Sequence, residues 1–221
     1  MRGRPLCERC AADLGPSAGA CTRCALPGPD PCRACRAHPP LLARAFAAHV
    51  YGGTLAEAIL RFKHGGRLHL ARPLATLLAP ALLAALAGEP ADALVPVPLH
   101  PRRLRARGFN QALELARAVR LPGQGTLPVL ARPPVWVDTL QRARDTPALG
   151  RCSPGVRRRL VAGAFRVRAR DADRLRGRRL VLVDDVMTTG ATLEACAAAL
   201  LEGGAREVRA ATLARAVAIN A

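Results

Sequence analysis

Residues 179–213 constrain the fold more than any other part of the chain. Residues 179–183 are an apolar run behind a single arginine, which is typical of a strand buried on both faces of a sheet. After a polar turn, residues 193–202 predict an apolar helix that ends at a Gly-Gly pair, and residues 208–213 predict a second strand. A strand, a helix and a strand in this order form a βαβ unit. The chain is therefore predicted to have an α/β fold, with a parallel sheet flanked by helices.

The polar turn in this unit has the residue types of a phosphate-binding loop. The first N–H groups of a helix attract anions, and Gly190 allows a phosphate to approach the backbone closely. Three hydroxyl side chains supply further donors: Thr188, Thr189 and Thr192. Asp184 and Asp185 stand at the end of the strand, where carboxylates can accept hydrogen bonds from sugar hydroxyls or meet Mg²⁺ through water. A helix cap would need only one such residue, so the segment predicts a site for a ribose phosphate.

Residues 181–192, with the sequence VLVDDVMTTGAT, resemble the phosphoribosyl pyrophosphate (PRPP) motif of type I phosphoribosyltransferases. The resemblance implies a type I phosphoribosyltransferase-like sheet that binds PRPP together with Mg²⁺. Asp184 and Asp185 would then bind the ribose hydroxyls, and the loop after them would hold the 5-phosphate. The full set of residues expected to bind PRPP is Asp184, Asp185, Val186, Met187, Thr188, Thr189, Gly190, Ala191 and Thr192.

Several other segments are similar to the ComF competence protein family. They are residues 96–100 (PVPLH), 102–104 (RRL), 107–111 (RGFNQ) and 163–165 (GAF), the pairs Tyr51-Gly52 and Phe62-Lys63, and the loop Asp145-Thr146-Pro147. Together with the cysteines at the amino end, the resemblance covers essentially the whole chain. Leu149 and Leu160 depart from the family pattern, which has Gln and Asn there, whereas Arg157 matches it. These departures bear on turnover more than on binding.

The resemblance also assigns roles around the pyrophosphate group. Loss of pyrophosphate from C1 of PRPP passes through an oxocarbenium-like state, in which Mg²⁺ and arginines would neutralise the leaving group. The loop expected near the pyrophosphate contains Pro98, Leu99 and His100. Residues 139–160 would close over it, and the candidate catalytic residues there are Arg142, Arg144 and Arg157. The alternative interpretation of these arginines is a solvated basic surface.

Six of the eight cysteines form three C-x2-C pairs within the first 35 residues: Cys7/Cys10, Cys21/Cys24 and Cys32/Cys35. Repeated pairs in a segment with few large apolar side chains favour a structural zinc site over a redox-active dithiol. The preferred four ligands, in a small zinc ribbon, are Cys21, Cys24, Cys32 and Cys35. Cys7 and Cys10 then lack a partner pair, so either they bind with Cys21 and Cys24 instead, or a further C-x2-C lies upstream. We divide the chain into a zinc-ribbon module, residues 1–42, and a phosphoribosyltransferase-like domain, residues 43–221.

The chain is strongly basic. Its 34 Lys and Arg against 16 Asp and Glu give a formal net charge of +18, and Lys63 is the only lysine. Codon bias toward arginine could produce such a total, but most of the excess lies in residues 101–170, which favours a surface facing phosphates there. The candidate nucleic-acid contacts are Arg102, Arg103, Arg105, Arg107 and Phe109. Phe109 would stack on a base or, alternatively, anchor the following helix in the core.

Further elements are predicted between these motifs. A strand is expected over residues 45–51, followed by a helix to about His64 that Thr54 caps and Glu57 completes as a capping box.

The segment that follows, residues 68–86, predicts one or two helices broken near Pro73 or Pro80. The later elements are the end of a strand at residues 93–98, a helix at 110–119 and a long mobile loop at 132–160. Cys152 and Cys196 are expected to be small core residues.

Targeting and membrane segments are not expected. No apolar stretch follows the charged first ten residues, and the longest apolar run, residues 74–87, is shorter than a membrane span requires. We therefore expect a cytoplasmic protein without membrane insertion.

Three functions from different classes follow. The first is a ComF-like protein that binds PRPP and single-stranded DNA in DNA uptake or natural transformation, with a competence helicase as a partner. The second is a metabolic phosphoribosyltransferase with a base or amine as acceptor. The third is a zinc-ribbon nucleic-acid-binding protein whose transferase fold has no activity. The sequence leaves the acceptor, catalytic activity and oligomeric state open.

Overall fold

A four-stranded parallel sheet forms the centre of the protein. The computed structural model describes residues 6–17, 19–64, 66–121, 132–146 and 154–217. In chain order the strands are β1 Arg44–Val50, β2 Ala93–Pro96, β3 Leu140–Arg142, β4 Phe165–Val167, β5 Arg179–Met187 and β6 Glu207–Arg215. The central sheet has the order β1-β6-β5-β2 with every neighbouring pair parallel, whereas β3 and β4 form a separate antiparallel pair. The predicted α/β fold with a parallel sheet is confirmed.

Helices cover both faces of this sheet. In chain order, the helices of the described residues are α1 Glu8–Ala12, α2 Arg33–Ala37, α3 Gly53–His64, α4 Ala71–Leu86, α5 Pro101–Arg107, α6 Gln111–Ala118, α7 Pro154–Val161, α8 Ala172–Leu175 and α9 Ala191–Glu202. Successive side chains of a strand point to opposite faces. Val181 and Val183 of β5 therefore pack with α3, α4 and α6, while Leu180 and Leu182 pack with α9 and the β3-β4 pair. All four are at most 1% exposed, which explains the continuous apolar run in β5.

The amino-terminal segment covers the outer edge of β1. Pro16 bridges His49 in the antiparallel direction, and the Val50 N–H donates to the Gly15 carbonyl at 2.8 Å. Because an uncovered edge strand can pair with another chain, these bonds both attach the segment and close the edge of the sheet.

Helix α3 begins at Gly53 and is capped differently from the prediction. The Thr54 N–H donates to Asp13 Oδ2 at 2.6 Å, so the cap comes from the amino-terminal segment and not from Thr54. Glu57 instead forms an ion pair with Arg61 at 3.3 Å. The predicted capping box is wrong because a residue 41 positions away supplies the acceptor.

Helix α4 runs unbroken through both prolines, so the predicted break is also wrong. Pro73 lies in the first turn, where a helix does not need the missing N–H, and Pro80 lies on the exposed side. Burial of the opposite side against β1 and β6 keeps the helix continuous despite the lost hydrogen bond.

The segment Leu68–Leu86 is long and apolar enough to cross a membrane by length and composition, and 44% of it is buried inside the protein.

Residues 132–160 do not form one long loop. The Trp136 N–H donates to the Leu94 carbonyl at 2.9 Å, β3 pairs with β4, and α7 begins at Pro154. The prediction missed β3 because the strand has only three residues and its partner lies far along the chain. Residues 147–153, which contain Leu149 and Cys152, lie outside the described residues. The other isolated cysteine, Cys196, is fully buried, as predicted.

Candidate functional site

Two neighbouring carboxylates stand inside β5 rather than after it. The strand continues to Met187 because β6 pairs with it as far as Arg215. Asp184 and Asp185 are 8% and 2% exposed, and Asp184 Oδ1 accepts a hydrogen bond from the Asp185 N–H at 2.9 Å. Lys63 of α3 forms an ion pair with Asp185. The only lysine of the chain therefore lies at the predicted ribose site.

Burial raises the pKa of Asp184 well above its ordinary value, and the adjacent charge of Asp185 raises it further. Lys63 lowers this pKa but makes its direct contact with Asp185. A raised pKa means that the ionised carboxylate of Asp184 is poorly stabilised by the protein alone. Hydroxyl groups that donate hydrogen bonds to it would stabilise the ionised form, and a ribose carries such groups.

The loop from Thr188 to Gly190 leads from the carboxylates into α9. Gly190 precedes the helix with φ 82°, a conformation that favours glycine, and an added Cβ there would lie 2.9 Å from Met187 Cε. The N–H groups of Thr188, Thr189 and Gly190 donate to no other described backbone group. Arg157 of α7 donates from Nη1 to Thr188 Oγ1 at 2.9 Å. The loop therefore offers consecutive donors and a nearby cation at the start of a helix.

Residues 97–99 form the opposite wall of a small cavity. Asn110 holds this wall, because its Nδ2 donates to the Val97 carbonyl at 3.1 Å while its Oδ1 accepts from the Ala112 N–H at 2.9 Å and caps α6. The cavity has a volume of about 190 Å³. Its lining includes Lys63, Pro98, Leu99, Arg103, Arg107, Arg142, Asp184, Asp185 and Thr192. Two residues of the predicted pyrophosphate loop thus share one cavity with the carboxylates, whereas the third, His100, caps α5.

The three candidate catalytic arginines lie in different surroundings. Arg142 is 7% exposed, lines the small cavity and lies 5.3 Å from the ring centre of Phe165. Arg157 reaches Thr188 of the phosphate loop. Arg144 donates to two main-chain carbonyls at the end of α7 and so supports that helix. The structure therefore brings Arg142 and Arg157, but not Arg144, to the predicted site.

The loop that contains Asp145 and Thr146 is held against α5. Arg103 Nη2 donates to the Thr146 carbonyl at 2.6 Å, and Arg102 Nη1 lies 3.2 Å from Asp145 Oδ2. The side chain of Arg102 remains 75% exposed, and Arg105 is exposed as well. Helix α5 therefore presents exposed cations beside the small cavity, where a phosphate backbone can reach them.

Two other predicted nucleic-acid contacts point into the protein. Phe109 is 8% exposed and packs on Phe62 with 5.1 Å between ring centres, so the ring anchors the core and stacking on a base is ruled out in this conformation. Arg107 donates to Gln111 at 2.6 Å and lines the small cavity, and burial lowers its pKa while Asp185 opposes that shift. Arg107 therefore belongs with the carboxylates rather than with the exposed surface of α5.

Four cysteines form a cluster with the geometry of a metal site. The sulfurs of Cys21, Cys24, Cys32 and Cys35 all lie within 4.8 Å of one another. The Cys24 and Cys32 sulfurs are 3.7 Å apart, which matches the edge of about 3.8 Å in a tetrahedron with Zn–S bonds of about 2.3 Å. The four close cysteines can therefore bind a metal such as zinc, and the set preferred from the sequence is confirmed as a cluster.

The remaining pair is separate from this cluster. Cys7 is exposed at the start of α1, and its side chain exchanges a hydrogen bond with Cys10. A hydrogen bond from the Cys10 backbone N–H, together with this side-chain contact, lowers the pKa of Cys7, and the side-chain contact raises the pKa of Cys10. The alternative in which this pair joins Cys21 and Cys24 at one metal is not the arrangement observed.

Arg215 was missed by the sequence analysis and connects the cysteine cluster to the loop from Thr188 to Gly190, the predicted phosphate loop. It ends β6, is 4% exposed, and donates from Nε to the Cys24 carbonyl at 2.9 Å and from Nη1 to the Met187 carbonyl at 3.0 Å. A second cavity, of about 460 Å³, lies between the loop and the cysteine module and is lined by both. The only sequence signal for this connection was an arginine that follows the apolar run of the last strand.

Comparisons with known proteins show the family to which the chain is related. Residues 134–218 match the family model described as phosphoribosyl transferase domain. The DNA utilization protein YhgH of Salmonella typhi is 32% identical over 216 residues, covering 92% of this chain and 87% of YhgH. Competence protein F of Haemophilus influenzae is 31% identical over 169 residues, and the alignment covers 73% of this chain and 68% of competence protein F. The solved structure of an allosteric regulatory enzyme of purine biosynthesis is 20% identical with a TM-score of 0.38, and the alignment covers 69% of this chain and 29% of the chain of that enzyme.

Loss of one clustered cysteine should release the metal. Cys35→Ser removes one of four ligands, so we expect anaerobically purified protein to fall from about one zinc per chain to well below half. Cys7→Ser is the matched control and should retain the wild-type content. Metal analysis per chain decides between them, and zinc-free wild-type protein or equal loss in both variants would contradict the assignment.

Asp184→Asn should stabilise the ligand-free protein at neutral pH. Because the pKa of Asp184 is raised in the folded state, that state retains a proton which the unfolded state releases above about pH 4. The wild-type free energy of unfolding therefore falls as the pH rises from about 4 through the folded-state pKa. The variant lacks this loss, so its melting temperature at neutral pH should be higher, by roughly 2–4 °C for each kcal/mol of stability that the wild type loses.

Thermal denaturation across the pH range measures this effect, and the difference between variant and wild type should shrink toward about pH 4. Asp173→Asn, at a side chain 92% exposed on α8, is the control and should change little. A melting temperature of Asp184→Asn below that of the wild type at every pH would contradict the argument.

Proposed function

Because the chain belongs to the ComF competence protein family, we propose that it binds PRPP with Mg²⁺ at the carboxyl end of β5 and acts with single-stranded DNA in DNA uptake or use. The names of its relatives, a DNA utilization protein and a competence protein, support the action with single-stranded DNA. A cytoplasmic location and a competence helicase as partner belong to the same proposal.

The observation that carries PRPP binding is the juxtaposition of two buried carboxylates with three consecutive backbone N–H groups that donate to no described backbone group. Asp184 and Asp185 would accept hydrogen bonds from the ribose hydroxyls, and the N–H groups from Thr188 to Gly190 would bind the 5-phosphate. Arg157, which already contacts Thr188, would add a charge to the phosphate.

The pyrophosphate would lie in the cavity of about 190 Å³ beside the carboxylates. Pro98 and Leu99 supply the wall, and three arginines line the same cavity: Arg103, Arg107 and Arg142. Mg²⁺ would enter with PRPP, neutralise the pyrophosphate oxygens and meet the carboxylates through water. Zinc held by the four cysteines would have a structural role, since an all-cysteine shell leaves no position for a substrate.

PRPP binding should depend on the two carboxylates. We expect calorimetric titration with Mg²⁺ and PRPP to show binding to the wild type in clear preference to ribose 5-phosphate. Replacing Asp184 and Asp185 together with Asn should reduce the affinity at least about 100-fold, because charge-assisted hydrogen bonds contribute about 1.5–3 kcal/mol each.

The control is Asp173→Asn, an exposed carboxylate at the other end of the sheet, which should bind PRPP like the wild type. Unchanged affinity in the double variant would overturn the site assignment. Turnover with a free base or amine would identify a metabolic transferase, and absence of PRPP binding would leave a nucleic-acid-binding protein with an inactive fold.

Single-stranded DNA should bind along α5. Replacing Arg102 and Arg105 together with Ala should weaken binding to an oligonucleotide and reduce the slope of log K against log salt by about 1.4, since each lost phosphate contact removes about 0.7. Fluorescence anisotropy over a range of salt concentrations measures both quantities.

The matched control removes two exposed arginines, Arg176 and Arg206, which precede β5 and β6 and so lie at the amino ends of the strands, away from α5. This pair has the same change in net charge but should leave the salt slope unchanged. Equal weakening by both pairs would mean that net charge alone, and not α5, determines the affinity.

A further inference from the structure

Arg215 is the single side chain that hydrogen-bonds both to the phosphate loop and to a clustered cysteine among the described residues. Its Nη1 donates to the carbonyls of Met187 at 3.0 Å, Ala216 at 2.8 Å and Thr188, and its Nε donates to the Cys24 carbonyl at 2.9 Å. The residue is 4% exposed. Main-chain carbonyls on both sides therefore satisfy a buried guanidinium group, and each carbonyl is oriented by it.

The contacts with the loop fix the direction of its donors. In a trans peptide, the carbonyl of one residue and the N–H of the next point in opposite directions. A guanidinium that holds the carbonyls of Met187 and Thr188 therefore turns the N–H groups of Thr188 and Thr189 away from itself. These are two of the three donors that we assign to the 5-phosphate, so Arg215 orients them before any ligand arrives.

The hydrogen bond from Arg215 to the Cys24 carbonyl depends on the turn that contains Cys21 and Cys24. The Cys24 and Ala25 N–H groups donate to the Cys21 carbonyl at 3.3 and 2.7 Å, which makes the tight turn that presents two sulfurs to the cluster. A metal bound by the four sulfurs fixes this turn, and with it the direction of the Cys24 carbonyl. The position of Arg215 is thus set in part by the geometry of the metal site.

A second contact attaches the cysteine module, residues 1–42, to α9 without touching a clustered cysteine. Glu194, in the first turn of α9, accepts hydrogen bonds from the N–H groups of Leu41 and Leu42 at 2.8 and 3.4 Å. The helix whose amino terminus carries the phosphate loop therefore also holds the chain that leaves the cysteine module. The contact with Glu194 therefore fixes where the cysteine module joins the domain.

We propose that Arg215 is a positioning residue that couples the cysteine metal site to the phosphate loop, so that bound zinc strengthens PRPP binding and bound PRPP strengthens zinc binding. This inference rests on the proposed binding of PRPP at that loop. Coupling between two sites is reciprocal, so each ligand must change the affinity for the other by the same factor, and factors of about 5–150 are typical.

The test measures zinc affinity by competition with a chelator, with Mg²⁺ present throughout and PRPP either absent or saturating. We expect PRPP to increase the zinc affinity of the wild type at least about fivefold. In Arg215→Met the factor should fall to about one, although zinc and PRPP each still bind. Arg215→Lys, which keeps a single donor group, should restore part of the coupling.

The control is Arg209→Met. Arg209 is a buried arginine of the same strand, 5% exposed, and its side chain bonds the carbonyls of Ala85 and Glu89 at the other end of β6. This variant loses the same group from the same strand, so it should keep the wild-type coupling factor.

A second readout is spectroscopic. With Co²⁺ in place of zinc, addition of PRPP should shift the visible absorption of the wild type and of Arg209→Met, but not of Arg215→Met. Binding of both ligands without any mutual effect in the wild type would overturn the coupling and leave the proposed function intact. Coupling retained in Arg215→Met would overturn the role of this residue, and absence of PRPP binding would overturn both proposals.

Discussion

Two carboxylates buried side by side at the carboxyl end of β5 determine how the rest of the site is arranged. Neighbouring negative charges in a buried position are unfavourable unless cations or donors face them. Lys63 reaches them from α3, and Arg107 and Arg142 line the same cavity from α5 and β3. The sheet provides the rigid support, because β5 lies between β2 and β6 and is buried on both faces. The site is therefore a centre of opposite charges that a ligand with both hydroxyl and phosphate groups would complete.

The cysteine module is part of this site as well as an attachment to the fold. Asp13 caps α3, which carries Lys63, and the segment around Pro16 closes the edge of β1. Arg215 joins the turn at Cys24 to the phosphate loop. Contacts of this kind explain why so short a segment, with few large apolar side chains of its own, has a defined position on the domain.

The parts of the structure that local pattern encodes could be predicted from the sequence. The unit β5-α9-β6 was recognisable because its strands are buried on both faces. The cysteine cluster was recognisable because each C-x2-C spacing places two sulfurs on one turn. The remainder depends on contacts between residues far apart in the chain. The cap from Asp13 and the hydrogen bonds of Arg215 have no local signature in the sequence. The sequence left open whether Phe109 is exposed or buried, because the answer depends on its packing against Phe62.

The central claim is that the backbone donors after β5 bind the phosphate of PRPP. Amide hydrogen exchange of the wild-type protein, with zinc and Mg²⁺ present and with or without saturating PRPP, tests it most directly. The account predicts that the amides of Thr188, Thr189 and Gly190, which donate to no described backbone group in the free protein, become strongly protected when PRPP binds. Binding of PRPP that leaves their exchange unchanged, with protection elsewhere in the protein, would contradict it.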